Sequence, residues 1–332
     1  MSEEKARRPS ILEELVRELP GVWRSIPSKG LFATCFGLWV LLFKFLGNST
    51  FGYINTHSLF AWTYYSYQNS EDDKHGMFIP FLVLGFLWWK RKELEAIRPK
   101  HWLPGLALIT LALLLHILGF ISQQTRLSLA AFFFGLYALI GLVWGPTALR
   151  KTFFPMCLFA FALPLNTLAE TITFPLRLIA TKLTTGFSAT VLGINVIRQG
   201  TFIFNPSGAF KYEVAAACGG LRSLTAVLAL CTIYAFMNFQ KARNIVVMIA
   251  AGFPLAVLGN VTRLVIIILI AEAFGQKWGD WVHDNFFFSL LPYVPPIIGI
   301  LLLGHFLREQ KKTRTPLEPP VVDERGRLPA AT

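Results

Sequence analysis

Cys218 lies in the stretch KYEVAAACGGLRSLTAVLALCTIYAFM, from Lys211 to Met237, where polar sequence gives way to an apolar run. A thiol there becomes a nucleophile if its proton is lost. The start of a helix and a guanidinium nearby, here Arg222, both favour the thiolate. Gly219 and Gly220 remove side chains beside it, so substrate can approach the backbone and N–H groups can serve as an oxyanion hole. The plain alternative is a helix-start cysteine packed among small neighbours. Arg263 stands inside a second apolar run, LAVLGNVTRLVIIILIAEAFG, three residues after Asn260 and on the same helix face. An arginine within a span costs about 2.5–3.5 kcal/mol on insertion scales and marks a functional position; the structural alternative is a buried ion pair with Glu272 or Asp280. His283, in GQKWGDWVHDNFFFS, offers a group that moves protons near neutral pH. His75, in DDKHGMFIPFLV, is a second imidazole. Thiol, guanidinium and imidazole are the parts of a thiol acyl-transfer site.

The elements that position these groups are membrane spans. Of 332 residues, 54% are hydrophobic and 15% charged, against roughly 25% charged in soluble domains, and the mean hydropathy is +0.52. Eight apolar runs are read as spans, at about 31–47, 77–89, 103–121, 127–145, 152–166, 221–237, 245–273 and 286–307. The second and fifth are short and are expected to extend into flanking residues such as Trp88, Trp89 and Leu165. Pro254 is expected to kink or break the seventh. The net charge of +12 sits in short blocks beside apolar runs, the layout of cytoplasmic loops, which excludes nucleic acid as a partner.

With the N-terminus inside, 21 of the 31 Lys and Arg fall on the inner side and 7 on the outer. That bias orients the bundle with both ends cytoplasmic and Cys218 outside. Cys35, Cys157 and Cys231 fall within apolar runs, where cysteine packs as a small hydrophobe. The longest outer segment, about 166–220, reads first as a helix on the outer surface carrying Arg177 and Lys182. A β-hairpin follows, Thr201–Phe204 and Phe210–Val214 around the turn Asn205-Pro206-Ser207-Gly208. His283 falls in the next outer turn. The first 30 residues are too charged for a signal peptide, and ILEELVREL reads as an amphipathic helix on the membrane. The Pro-rich, charged tail is expected to be disordered. No metal spacing links the histidines, and no HExxH, GxSxG or P-loop pattern occurs, so no metal and no cofactor is expected.

The motifs resemble those of the exosortase/archaeosortase family of membrane cysteine transpeptidases. VAAACGGLRSL is similar to the family's Ala-Cys-Ser-Gly-x-Arg-Ser block at Ala217, Cys218, Gly220, Arg222 and Ser223, with Gly219 in place of the usual serine. NVTR resembles the Asn-x-x-Arg block at Asn260 and Arg263, and HGMFIP the His-Gly-x-x-x-Pro start of an early span at His75, Gly76 and Pro80. His283 falls where the bacterial branch has its histidine, although the glycine common a few residues later is missing from DNFFFS. The resemblance implies catalytic Cys218, Arg263 and His283, supported by Arg222, Asn260, Gly219, Gly220 and His75. It also implies a substrate: an exported protein ending in a tripartite sorting signal of short motif (Pro-Glu-Pro in bacteria), transmembrane helix and basic cluster. Such a protein is cut at the motif and passed to a membrane-lipid or envelope-glycan acceptor.

The expected protein is therefore an all-α polytopic protein of the inner (cytoplasmic) membrane. It has about eight spans, an outer amphipathic helix and a small β-hairpin, with its active site on the periplasmic side. Residues 1–30 form a cytoplasmic amphipathic segment, 31–307 the catalytic domain and 308–332 the cytoplasmic tail. The alternative class is a polytopic transporter or channel built around the intramembrane Arg263 and a Pro254-broken helix; that reading accounts for neither the outer thiol nor the outer hairpin.

Overall fold

The computed structural model describes residues 13, 17–21, 27–50, 54–213, 221–285, 288 and 290–308. Cys218, Gly219 and Gly220, the expected tail and most of the N-terminal segment lie outside them. The chain is an all-α membrane protein. The elements are α1 (Lys29–Leu46), α2 (Leu59–Gln68), a 3-10 turn (Lys74–Met77), α3 (Ile79–Trp89), α4 (Arg91–Glu95), α5 (Gly105–Ile121), α6 (Thr125–Trp144) and α7 (Pro146–Cys157). A second 3-10 segment (Leu158–Ala162) leads into α8 (Asn166–Thr190). Strands β1 (Ile197–Gln199), β2 (Phe202–Phe204) and β3 (Lys211–Glu213) follow, then α9 (Leu221–Asn238), α10 (Ala242–Phe274), α11 (Gln276–Asp284), a third 3-10 turn (Leu291–Tyr293) and α12 (Val294–Phe306).

The apolar runs became helices because no water competes for backbone groups in hydrocarbon, so each span must satisfy its own. α1, α6 and α10 are each long and apolar enough to cross a membrane. α6 is the central one: over half of its apolar window is buried, against 11% for α1, which turns Leu38 and Phe45 outward while Trp39 and Phe43 pack inward on Phe132. α5 lies along α6, and α9 along α10. A second core, around Leu224, Val227, Met248 and Ile300, joins α9, α10 and α12.

Five features differ from the expectations. α10 runs through Pro254 as one helix of 33 residues. Proline removes a single N–H, and spans tolerate it where neighbouring helices re-satisfy the backbone. The fifth run starts earlier, at Pro146, so Arg150 and Lys151 stand inside α7 rather than in a loop; its helix then tightens to 3-10 and stops at Ala162, short of Leu165. An unforeseen helix, α2, precedes the His75 segment. His283 stands on a short helix, α11, rather than in a turn.

Lastly, the hairpin is a three-stranded antiparallel sheet in the order β1-β2-β3, with Ile203 opposite both Arg198 and Tyr212. The sheet and α8 pack on α10 through Ala180, Ile203, Phe210, Leu264 and Ile268. On α8 the polarity is inverted relative to a soluble helix. Thr173, Arg177, Thr181, Thr184 and Ser188 face inward, and Phe174, Ile179, Leu183 and Phe187 face outward. Recurrence every three or four residues makes this one polar stripe, and an outward apolar stripe is what a helix against lipid requires.

Side-chain bonds divide the loops between the two ends of the bundle. At one end, Asn48 binds Thr125 and Thr56, Asp73 accepts from the Leu165 amide, and Asn205 donates to Glu272. At the other, Trp144 donates to Pro27, Lys151 pairs with Glu93, and Asn244 donates to Leu307. The first set joins segments expected outside and the adjoining ends of spans, the second segments expected inside and the adjoining ends of spans.

Candidate active site

Arg222 stands at the second position of α9 and reaches across to the segment before α3. Its guanidinium lies 3.7 Å from a Glu71 carboxylate oxygen and 3.8 Å from one of Asp72. Glu71 also binds Lys74, and that hydrogen bond and charge, aided by Arg222, hold its carboxyl below the ordinary range. Asp72 is half-buried; burial pushes its carboxyl up, and Arg222 pulls part of the way back. The Asp72 carbonyl lies 2.8 Å from His75 Nδ1. A carbonyl only accepts, so Nδ1 carries the proton and Nε2 is left as the basic nitrogen. The segment is fixed from beneath: Gly76 packs on the Tyr67 ring, and Tyr67 donates to the Ala162 carbonyl.

Arg263 lies on α10 eleven residues before its end at Phe274, about 16 Å along the axis. Asn260, one turn earlier, is buried. Gly259 beside it allows a close approach: a Cβ there would stand 2.1 Å from the Pro292 carbonyl oxygen. The turn Leu291–Tyr293 is thereby seated on α10, and α9, the helix of Arg222, packs on the same turn. The two arginines, 41 positions apart in sequence, thus serve one locality. Glu272, one of the two acids weighed as an ion-pair partner for Arg263, accepts from Asn205 at 2.7 Å.

The chain reaches Cys218 from β3 and leaves it into α9. Cys218 is five residues past Glu213 and three before Leu221, so its Cα lies within about 11 Å of that of Leu221. β3 is held against α11, the helix of His283. Tyr212 donates to the Gln276 carbonyl at 3.3 Å, close to the Asp280 carboxylate, and Gln276 Nε2 donates to the Lys211 carbonyl at 3.5 Å. Burial, then Asp280, pushes the Tyr212 phenol up to about 12. Gly279 makes room for this, since a Cβ there would meet the Tyr212 oxygen at 2.0 Å. The backbone of His283 stands one turn beyond Asp280; its side chain lies outside the described residues.

The structure thus sets Arg222 against the segment of His75, places Asn260 and Arg263 on α10, whose turn neighbour Leu291–Tyr293 also meets α9, and ties β3, the strand before Cys218, to α11. Among the described residues, no group of three His, Cys, Asp or Glu could hold a metal ion. Cys35, Cys157 and Cys231 are free thiols. No sequence motif marks Tyr293, and the local sign of Glu71 and Asp72 is the acidic run EDDK before His75. A family model described as Transmembrane exosortase (Exosortase_EpsH) matches residues 67–310, about three quarters of the chain. The chain belongs to the transmembrane exosortase family. The match begins in α2 and ends just past α12, so this exosortase carries Glu71, Asp72, His75, Cys218, Arg222, Asn260, Arg263, His283 and Tyr293 within the family's span. No curated protein and no solved structure matches it.

Proposed function

We propose that this exosortase is a cysteine transpeptidase of the cytoplasmic membrane, acting at its extracytoplasmic face on exported proteins with a C-terminal sorting signal. The observation that carries the reading is that α9, which opens with Arg222 and receives the chain from Cys218, and α10, which bears Arg263, both pack on the turn Leu291–Tyr293. Two guanidiniums there favour a thiolate and can hold an oxyanion.

In the proposed reaction Cys218 Sγ attacks the carbonyl carbon of the scissile peptide bond, and the oxygen becomes an oxyanion held by Arg263 and backbone N–H groups. Collapse expels the amine of the departing tail, which takes its proton from His283. The resulting thioester passes its acyl group to a hydroxyl or amine of a membrane-lipid or envelope-glycan acceptor, and the thiol is restored. The substrate's own helix would lie beside the bundle with its basic end inside, presenting a Pro-Glu-Pro-like motif at the level of Cys218.

The test is co-expression with an exported protein carrying such a tripartite tail, followed by the intact mass of its C-terminus. Wild type should shorten the tail at the motif, and Cys218→Ala and Cys218→Ser should not, because a hydroxyl is far weaker without a strong base. His283→Ala should slow processing by roughly 10²–10⁴-fold. Processing that survives Cys218→Ala would sink the proposal.

A further inference from the structure

Arg177 stands on the inward polar stripe of α8, eleven residues past Asn166, the first of that helix. It is 7% exposed, and its Nε has no hydrogen-bond acceptor among the described residues. Its Cζ lies 5.6 Å from the centre of the Phe174 ring, one turn back. A threonine in such a stripe can bond to a carbonyl of its own helix, as Thr181 does to that of Leu178 at 3.0 Å. A guanidinium is permanently charged and presents its donors in a planar fork, so burial among apolar groups is costly to it. Those groups lie on both sides. Leu176 packs on the core of Leu224 and Val227 in α9, and Ala180 shares a core with Leu264 and Ile268 of α10. Leu224 is six residues past Cys218, and Leu264 follows Arg263. The Arg177 side chain leans toward the start of α8. There the Leu165 amide donates to Asp73, the neighbour of the Asp72 that Arg222 reaches.

We infer that Arg177 is a further catalytic residue, whose guanidinium joins Arg263 in holding the oxyanion of the tetrahedral intermediates. The inference rests on the proposed function. A buried guanidinium left short of acceptors among the described residues is unfavourable at rest and gains when a negative charge forms beside it. An interaction made only then lowers the barrier rather than the ground state. Attack of Cys218 Sγ on the scissile carbonyl carbon moves the π pair onto oxygen, and the charge forms there. When that pair returns, the C–N bond breaks and the amine departs with the proton from His283. The same oxygen is charged again when the acceptor adds to the thioester, and the charge is lost when the C–S bond breaks. Arg177 gives up no proton in either half, because a guanidinium stays protonated; it supplies charge and N–H donors alone.

Two variants, Arg177→Met and Arg177→Lys, test it. Each is assayed for kcat and KM on a tripartite-tail substrate, for melting temperature in detergent, and for labelling of Cys218 by a membrane-impermeant thiol reagent. Methionine fills much of the same space without charge. Arg177→Met should melt no lower than wild type, because a buried charge short of partners is removed. It should keep KM within about threefold and lose roughly 10²–10³-fold in kcat, as expected for one oxyanion donor. Arg177→Lys keeps the charge, loses the fork and should lose at least about tenfold in kcat. Labelling of Cys218 should be unchanged in both. A lower melting temperature in Arg177→Met, or a wild-type kcat in Arg177→Lys, would overturn the inference. A raised KM at unchanged kcat would mean that Arg177 binds a charge the substrate already carries, and lost labelling that it acts on the thiol; either would overturn it too. No processing by wild type of any tripartite tail would instead overturn the proposed function, and this inference with it.

Discussion

Arg222 shows how little of a side chain's role lies in its energy. It is about half exposed and its acidic partners are 3.7 and 3.8 Å away, so solvent screens both pairs and they add little to stability. Arg222→Ala should therefore leave the melting temperature in detergent within a few degrees of wild type and still cut processing severely, because the guanidinium bears on the site. A large fall in melting temperature would make Arg222 structural. Asp72 carries a pH signature. Its carboxyl is pushed up by burial, so its contribution to stability is complete below the unfolded value near 3.9 and is lost as pH rises through the folded value. Asp72→Asn, permanently neutral, should then melt no lower than wild type at pH 7, with the advantage gone by about pH 3. A melting temperature lower at pH 7 than at pH 4, relative to wild type, would mean that pairing with Arg222 outweighs burial. In the sequence, Cys218, Arg263 and Arg222 were visible because each is a chemical group set against apolar surroundings. The partners Glu71 and Asp72 were not, because they lie 150 or more positions from Arg222 and no local spacing encodes the meeting.

At the scale of elements, the joint between β3 and α11 has the clearest consequence. Tyr212, Gly279 and Asp280 lock the strand entering the Cys218 segment to the helix of His283. Gly279→Ala would drive a methyl into the Tyr212 oxygen, so the Tyr212 ring must swing away and its bond to α11 is lost. Processing should fall by at least tenfold in Gly279→Ala and recover in part in Gly279→Ala/Tyr212→Phe, where the clashing oxygen is gone. Tyr212→Phe alone should cost about 1 kcal/mol, the price of a hydrogen bond. A double variant no better than Gly279→Ala would show that the clash is not what matters. Helices were legible here wherever an apolar run was long, since length and hydropathy decide a span. β1 was not: Ile197, Arg198 and Gln199 are all exposed and show no alternation, so only pairing with β2 makes them a strand. α11 was missed because nine residues rich in Trp and Asp read as a loop until Tyr212 docks on them.

At the scale of the whole molecule, the excess of Lys and Arg on one set of loops is a property of composition, not of contacts. What that count could not reveal is which loops touch, and the bonds do so without mixing sides: Asn205 with Glu272 and Arg222 with Asp72 at one end, Asn244 with Leu307 and Lys151 with Glu93 at the other. The inverted polarity of α8 suits the same arrangement, with its apolar stripe toward lipid and its polar stripe toward the protein. Reporter fusions after Phe236 and after Leu307 should read cytoplasmic, and fusions within 195–215 should read extracytoplasmic. The last site discriminates best, because α8 stands before it and its 25 residues would be long enough to cross a membrane if they were inserted rather than laid along the bundle. If α8 crossed, a fusion at 205 would read cytoplasmic, the sheet and α11 would face the wrong compartment for exported substrates, and the proposed site would be lost. An extracytoplasmic reading at 205, with cytoplasmic readings on both sides of α10 and α12, is the only pattern that keeps Cys218, Arg222, Arg263 and α11 on the face where a sorting signal emerges.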